Sequence, residues 1–181
     1  MFTDIYSTDK KYKVIYADPP WRYNARHNLN TKFGGGAAGH YKTMTLNEIM
    51  ALPIKKLADE NCALFLWVTF PYLEEQIRLF EIWGFTYKTL GFSWIKTNKR
   101  NDKAFFGVGY YAKSNCELCL LGIKGRMKPK SNNVSSCIIA PREAHSKKPD
   151  EARKRIVELF GDVPRIELFA RQRAEGWDCW G

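Results

Sequence analysis

The sequence predicts an α/β fold in which helices cover a parallel or mixed sheet. Apolar runs typical of buried strands alternate along the chain with segments whose apolar residues recur at helical spacing. Hydrophobic residues make up 45% of the 181 residues and charged residues 27%, which excludes a disordered or collagen-like chain. No linker or internal repeat interrupts this pattern, so we expect residues 1–181 to form a single domain.

The first strand is predicted at Lys13–Ala17, because the two prolines of Asp18-Pro19-Pro20-Trp21 cannot continue a β-ladder. The glycine-rich stretch Thr31–His40 has little to pack and is predicted to be a mobile loop. Thr45 and Glu48 have the spacing of a capping box, so a short helix is predicted to begin there.

The rest of the chain continues the alternation of strands and helices. A helix is predicted over Pro71–Trp83, with Gly84 placed to end it, and a second one over Pro149–Gly161, where Asp150 and Glu151 suit the helix dipole. Strands are predicted at Ala63–Val68, Tyr87–Ile95, Glu117–Ile123, Cys137–Ala140 and Arg165–Phe169.

The net charge of +10 is concentrated in one part of the sequence. Between Lys96 and Lys130 stand nine basic residues and two acidic ones. A basic stripe of this kind holds phosphates by ion pairing and counterion release, which makes nucleic acid the leading partner class. The alternative is a well-solvated charged surface with no specific partner. The residues predicted to contact the nucleic-acid substrate lie in two connections, 96–109 and 124–136: Lys96, Lys99, Arg100, Lys124 and Arg126.

Composition also limits the cellular context and the kinds of site. The longest apolar run, Cys62–Val68, is far shorter than the roughly 20 residues that a membrane helix needs. The first eleven residues lack the pattern of a secretory signal, so a cytoplasmic location with reduced cysteines is expected. Cys116 and Cys119 have a metal-like spacing, but no second Cys or His pair follows at a useful distance, so no metal site is expected.

The tetrapeptide Asp18-Pro19-Pro20-Trp21 stands at the carboxyl end of a predicted strand, where open α/β sheets bind their ligands. Two acceptors on the N–H groups of an aromatic amine draw its lone pair out of conjugation and prepare the nitrogen for methylation. The Asp18 carboxylate supplies one acceptor, and the Pro19 carbonyl, oriented by Pro20, supplies the other. Trp21 offers a flat surface for an unstacked base. The alternative is a proline-rich strand end with a packed tryptophan.

Further segments accompany this tetrapeptide in a fixed order: Tyr41-Lys42-Thr43-Met44, Leu64–Val68, Trp94–Asn98, Cys119–Gly125, His145–Glu151 and Ile166–Arg171. Together they resemble the MT-A70 family of adenine-N6 methyltransferases, which use S-adenosylmethionine, and the resemblance extends over 14–181. It implies a Rossmann-like methyltransferase fold with a mostly parallel sheet. It also implies a permuted motif order, in which the catalytic tetrapeptide comes first and the cofactor segment late.

The resemblance assigns roles to individual positions. Asp18 corresponds to the catalytic acceptor that also meets the cofactor's amino group, and Lys148 to a lysine near the cofactor's carboxylate. Tyr41 corresponds to a tyrosine in a loop that closes over the target adenine. The late cofactor segment supplies residues on the ribose side: Glu167, Phe169 and Arg171.

The sequence departs from the family pattern at two places. Some relatives carry a His-Asn pair where this chain has Arg173 and Ala174, so ribose binding is expected to differ there. Relatives usually continue past the closing Trp-Gly with polar residues that approach the cofactor's adenine, whereas this sequence ends at Gly181. Either other residues hold that ring or the affinity for the cofactor is reduced.

From these observations we predict an S-adenosylmethionine-dependent methyltransferase that acts on the N6 amine of adenine. DNA is favoured over RNA as the substrate, because compact solitary members of the family resemble bacterial or phage DNA-modifying enzymes. The alternatives are an RNA adenine-N6 methyltransferase and a non-catalytic, nucleic-acid-binding partner subunit of the same fold. A homodimer or a complex with a partner subunit is also expected to be possible.

Overall fold

The structure is a computed structural model that describes residues 2–22, 43–107, 111–143 and 147–181. The predicted loop at 31–40 and the predicted substrate residue Tyr41 lie outside these ranges. Within them, no helix is long and apolar enough to cross a membrane. All five cysteines are free thiols.

The described residues form one sheet and four α-helices. The helices are α1 (Leu46–Met50), α2 (Ile54–Leu57), α3 (Leu73–Ile82) and α4 (Asp150–Phe160). The eight strands are β1 (Tyr12–Ala17), β2 (Ala58–Val68), β3 (Thr86–Asn98), β4 (Asn101–Ala104), β5 (Cys116–Lys124), β6 (Cys137–Pro141), β7 (Arg165–Leu168) and β8 (Asp178–Trp180).

The strands follow the order β4-β3-β5-β2-β1-β7-β8, and β6 pairs with β3. Ser93 of β3 pairs with Leu118 of β5 and with Cys137 of β6, so β5 and β6 lie on opposite sides of β3. The pairings β1–β2, β1–β7, β7–β8 and β3–β6 are parallel. Only β5 and the short hairpin strand β4 run against the others. The predicted mostly parallel α/β sheet is therefore confirmed.

Every predicted strand and helix is present. The residues at the helix ends show why the helices begin and stop there. Thr45 and Glu48 form the complete capping box at the start of α1. Gly84, just after α3, has φ +82°, a conformation that favours glycine. Pro149 precedes the first turn of α4 as its N-cap, and Gly161 at φ +78° ends that helix.

Three elements were not predicted, because their residues carry weak local signals. The β4 sequence NDKA is polar and forms a strand only as a hairpin with the end of β3. The three residues of β8 have no alternating apolar run, and their pairing with β7 is a tertiary contact. The single turn of α2 contains only four residues, too few to show helical periodicity.

Apolar side chains fill both faces of the sheet, as expected for a doubly covered parallel sheet. Alternate residues of β2 point to opposite faces. Leu64 and Leu66 belong to one core cluster, together with Phe80 of α3. Phe65 belongs to the other cluster, together with Ile156 of α4. This packing makes the sheet a rigid support for the loops at its carboxyl edge.

Each outer edge of the sheet forms hydrogen bonds with another part of the chain. The N–H of Thr3 donates to the carbonyl of Cys179 in β8 at 2.8 Å. At the other edge, Nη1 of Arg155 donates to the carbonyls of Ser135 and Cys137, at 2.6 and 2.7 Å. The N–H of Cys137 donates to Oγ of Ser135 at 3.1 Å.

Candidate functional site

The candidate site lies at the carboxyl edge of the parallel strands, which is where open α/β sheets bind ligands. Asp18 follows β1 directly. Because β5 runs in the opposite direction, its first residues lie at this same edge, where Leu118 pairs with Val68 at the end of β2. Lys148 stands just before α4. The fold thus brings Asp18, Glu117 and Lys148 together from three distant parts of the sequence.

Four charged side chains form a continuous row of alternating sign, which we name the charge row: Lys96, Glu117, Lys148 and Asp18. Nζ of Lys148 lies 2.7 Å from Oδ2 of Asp18 and 3.2 Å from Oε2 of Glu117. Nζ of Lys96 lies 2.5 Å from the other carboxylate oxygen of Glu117. The Lys148 side chain is only 12% exposed, so its two carboxylate neighbours replace most of its water.

Indole rings of the sheet support both lysines of the charge row. Nζ of Lys148 lies 5.5 Å from the ring centroid of Trp67, and Nζ of Lys96 lies 5.3 Å from that of Trp94. The two indoles pack edge to face at 6.5 Å. Nε1 of Trp67 donates to the hydroxyl oxygen of buried Tyr16 at 2.8 Å. Cation–π attraction and this buried hydrogen bond restrict where the two ammonium groups can lie.

The two carboxylates of the charge row have opposite pKa shifts. Burial raises the pKa of Asp18 above its usual value, and the attraction of Lys148 offsets this only in part. Burial acts on Glu117 in the same direction, but Lys148 and Lys96 together lower its pKa. Burial disfavours charged Lys148, yet Asp18 and Glu117 raise its pKa overall. The fold therefore favours charged Glu117 and Lys148 and disfavours charged Asp18.

The tetrapeptide after β1 is held by backbone hydrogen bonds. The N–H of Trp21 donates to the carbonyl of Pro19 at 2.9 Å, and the N–H of Met44 donates to the carbonyl of Pro20 at 2.8 Å. The Pro19 carbonyl keeps a second lone pair, which is the acceptor predicted for the substrate amine. Trp21 is buried among core residues, so its predicted stacking on a base stays a prediction.

A second group of charges surrounds Glu167 on β7. Nη1 of Arg153 lies 3.1 and 2.8 Å from the two carboxylate oxygens of Glu167, and Arg153 also contacts Asp150. Burial raises the pKa of Glu167, and Arg153 opposes that shift. Glu167 already has a charged partner, therefore, at the place where the sequence predicts a contact with a ribose.

Phe169 directly after β7 has φ +63°, which is rare for a residue other than glycine. Its ring packs edge to face against Trp180 of β8 at 5.2 Å. Backbone strain of this kind persists where the surrounding structure enforces it, and it is frequent at ligand sites. Arg171 follows as an exposed residue two positions later. The predicted cofactor roles of these two residues stay predictions.

The residues predicted to bind nucleic acid separate into two groups in the structure. Lys99 and Arg100 are exposed in the turn between β3 and β4, beyond the carboxyl edge. Lys96 lies at that edge as well, but its ammonium group is paired with Glu117.

Lys124 and Arg126 lie at the opposite end of the sheet. Lys124 pairs with Cys62 near the beginning of β2, and its Nζ donates to the carbonyl of Ala58 at 3.1 Å. Lys124 lies seven positions after Glu117 along β5, which corresponds to about 23 Å. The basic stripe of the sequence is thus divided between two edges, and a phosphate contact by Arg126 stays a prediction.

Glu117 is the site residue that sequence reasoning missed. In the sequence it is one of two acidic residues among nine basic ones, and it directly precedes the apolar run of a buried strand. A carboxylate at the end of a buried strand was the available signal. Whether this carboxylate lies at the carboxyl edge of the sheet depends on the direction of β5, which the local sequence pattern does not reveal.

The donor chemistry of the site suits an organic ligand with an ammonium and a carboxylate group. Asp18 offers an anion and Lys148 a cation, held side by side at one edge of the sheet. Among the described residues, no group of His, Cys, Asp and Glu side chains is arranged to hold a metal ion. A zwitterionic amino acid group would find an opposite charge for each of its ends.

Comparison with known proteins adds independent findings. The MT-A70 family model matches residues 12–181. The type II methyltransferase M.MunI of a Mycoplasma species is 35% identical over 187 residues, which cover 95% of this chain and 77% of that protein. The human N(6)-adenosine-methyltransferase catalytic subunit METTL3 is 31% identical over 163 residues. An MT-A70-like N(6)-adenosine-methyltransferase of Arabidopsis thaliana is 29% identical over 169 residues. The chain spans about a quarter of each of these two eukaryotic relatives, 26% and 23%.

Proposed function

The chain belongs to the MT-A70 family of methyltransferases, and from that premise we propose that it methylates the N6 amine of adenine in DNA. Membership of this family supports methyltransferase activity toward the N6 amine of adenine with S-adenosylmethionine as the methyl donor. The choice of DNA as the polymer, and the roles of individual residues, are the parts that we propose.

The extent of the similarity supports DNA over RNA. The chain aligns with 77% of M.MunI, a type II methyltransferase, so the two proteins share most of their length. The N(6)-adenosine-methyltransferases are less similar, at 29% and 31% identity, and align over 23% and 26% of their own length. We therefore propose DNA as the substrate, and methylation of RNA is the alternative result that the experiment below distinguishes.

The residues at the carboxyl edge fit S-adenosylmethionine. Lys148 would hold the carboxylate of its methionine part, and Asp18 would hold the amino group, as the pairing of these two side chains already suggests. Phe169, directly after β7, would line the ribose side, and Glu167, held by Arg153, would use its remaining lone pairs to accept hydrogen bonds from the ribose. When bound, the cofactor supplies a methyl group on a positively charged sulfur, which is the electrophile of the reaction.

The chain itself prepares the amine. A carboxylate oxygen of Asp18 accepts one N–H of the adenine amine, and the free lone pair of the Pro19 carbonyl accepts the other, which directs the nitrogen lone pair out of the ring plane. Burial raises the pKa of Asp18, which makes its carboxylate a better acceptor for the proton that the amine must lose.

Lys148 and Glu117 position Asp18 for this role. Lys148 holds Oδ2 of Asp18 at 2.7 Å, and Glu117 holds Lys148 from its other side. A lysine fixed by a second carboxylate keeps its place when the partner carboxylate turns toward the substrate. Such preorganisation contributes through positioning, which accounts for much of the rate of a group transfer between two bound molecules.

The placement of the Lys148–Asp18 pair at the carboxyl edge is the observation on which the residue roles depend. The test incubates the protein with labelled S-adenosylmethionine and matched single-stranded DNA, duplex DNA and RNA, followed by digestion to nucleosides. We expect labelled N6-methyladenine from DNA. Asp18→Ala should abolish the transfer, whereas Asp9→Ala, which alters a fully exposed carboxylate, should leave it unchanged. Label in RNA alone, or an active Asp18→Ala protein, would contradict the proposal.

A further inference from the structure

Phe106 is a large apolar side chain that stands in solvent beside the candidate site. It follows β4, and its side chain is 60% exposed. Single exposed apolar side chains are common on protein surfaces, so a role for Phe106 depends on what surrounds its ring.

The backbone around Phe106 is held on both sides. The N–H of Phe105 donates to the carbonyl of Lys96 at 2.8 Å, and the N–H of Gly107 donates to the carbonyl of Ser114 at 2.6 Å. The guanidinium carbon of Arg142 lies 3.5 Å from the ring centroid of Phe105. Phe105 is thereby fixed on the protein, while its neighbour Phe106 projects from a restrained segment.

The surroundings of Phe106 are basic. Lys99 and Arg100 occupy the turn of the β3–β4 hairpin, and Lys103 lies on β4; all three are exposed. None of them forms an ion pair with another residue in the part of the chain that the structure describes. An apolar ring among exposed cations matches a stack of bases flanked by phosphates.

The hairpin is connected to the charge row. Lys96 accepts the Phe105 N–H with its carbonyl, and its ammonium group pairs with Glu117, which contacts Lys148. Three strand spacings separate β1 from β3 along the order β1-β2-β5-β3, which is about 14 Å. Phe106 therefore lies beside the carboxyl edge but away from Asp18. A residue that contacts the stacked bases must lie there, because the extruded base occupies the space next to Asp18.

We propose that Phe106 is a wedge that inserts into duplex DNA next to the target adenine and stabilises the extruded state of that base. This inference rests on the proposed function, because only a base paired within a duplex must leave its stack to reach Asp18. Lys99, Arg100 and Lys103 hold the flanking phosphates and set the position of the ring.

The test compares kcat/KM of wild type and Phe106→Ala on two substrates. One is a duplex that the wild-type protein methylates, and the other is the same duplex with a mismatched base opposite the target adenine. Extrusion costs less for a mismatched base. We expect Phe106→Ala to lower kcat/KM at least tenfold on the matched duplex and less than threefold on the mismatched one. Phe106→Trp should retain most of the wild-type rate.

Tyr87→Ala is the control, because Tyr87 is an exposed aromatic residue at the other end of β3. It should change neither rate. An equal loss on both duplexes, or no loss on either, would overturn the wedge and leave the proposed function intact. A change in oligomeric state of Phe106→Ala on gel filtration would also overturn it, since the ring would then cover a second copy. Methylation of single-stranded DNA but not of duplex DNA by the wild-type protein would overturn the wedge alone, whereas label in RNA alone would overturn both proposals.

Discussion

Glu117→Gln and Asp18→Asn are expected to affect stability in opposite ways, although both remove one negative charge from the charge row. The fold lowers the pKa of Glu117, so charged Glu117 stabilises the native state. It raises the pKa of Asp18 through burial, so the charge on Asp18 costs stability at neutral pH. Asp18→Asn should leave the free energy of unfolding unchanged or increase it, while activity is lost.

The size of the Glu117 effect follows from its two contacts. With an effective dielectric constant of about 20, the attraction to Lys148 at 3.2 Å is about 5 kcal/mol and that to Lys96 at 2.5 Å is about 7 kcal/mol. Solvation regained by the lysines cancels most of this sum, and breaking a buried pair costs about 3 to 5 kcal/mol net. Because the Glu117 side chain is 28% exposed, we expect about 3 kcal/mol for Glu117→Gln.

Urea unfolding of the wild type and both variants at pH 7 measures these differences. A loss of that size corresponds to a decrease in Tm of about 6 to 12 °C for a domain of this length. The lowered pKa of Glu117 also decides how its contribution to the free energy of unfolding changes with pH. The Glu117 contribution is present above the ordinary pKa of 4.5 and is lost as the pH falls through the lower pKa of the folded state. A Glu117→Gln protein as stable as the wild type, or an Asp18→Asn protein less stable than Glu117→Gln, would refute this reasoning.

Three further outcomes are expected. The raised pKa of Asp18 should place the acid limb of kcat/KM above the ordinary pKa of 3.8, and Asp18→Glu should shift that limb; a limb at or below 3.8 would contradict the assignment. Lys99→Ala should reduce the slope of log affinity against log salt by about one, whereas Lys88→Ala, which alters an exposed lysine near the beginning of β3, should not change it. Gly122→Ala should destabilise the protein by about 1 to 3 kcal/mol in urea unfolding, because the added Cβ would lie 2.2 Å from Cδ1 of Phe80.

Local sequence patterns were sufficient for much of the fold. The alternation of apolar runs and helical periodicity predicted the strands and the longer helices, and the capping box at Thr45 located the start of α1. The prolines after β1 placed Asp18 at a strand end. These signals act over a few residues, so the sequence displays them directly.

Only part of the charge row could be predicted from the sequence. Asp18 and Lys148 came from recognised motifs, but Glu117 joins them only because β5 runs against its neighbours. The same reversal separates Lys124 and Arg126 from the site. Strand direction is decided by tertiary pairing, and nothing within the β5 sequence specifies it.

The guanidinium of Arg155 has a consequence for assembly. The carbonyls of Ser135 and Cys137 that it binds lie at the margin where a ninth strand would otherwise add. Pro141 at the end of β6 has no N–H to offer such a strand, and the segment around Thr3 covers the far margin at β8. Each margin of the sheet is thus partly covered by these contacts. Loss of Arg155 would uncover the carbonyls of Ser135 and Cys137 and would make the β6 margin a better template for pairing with a strand of another chain.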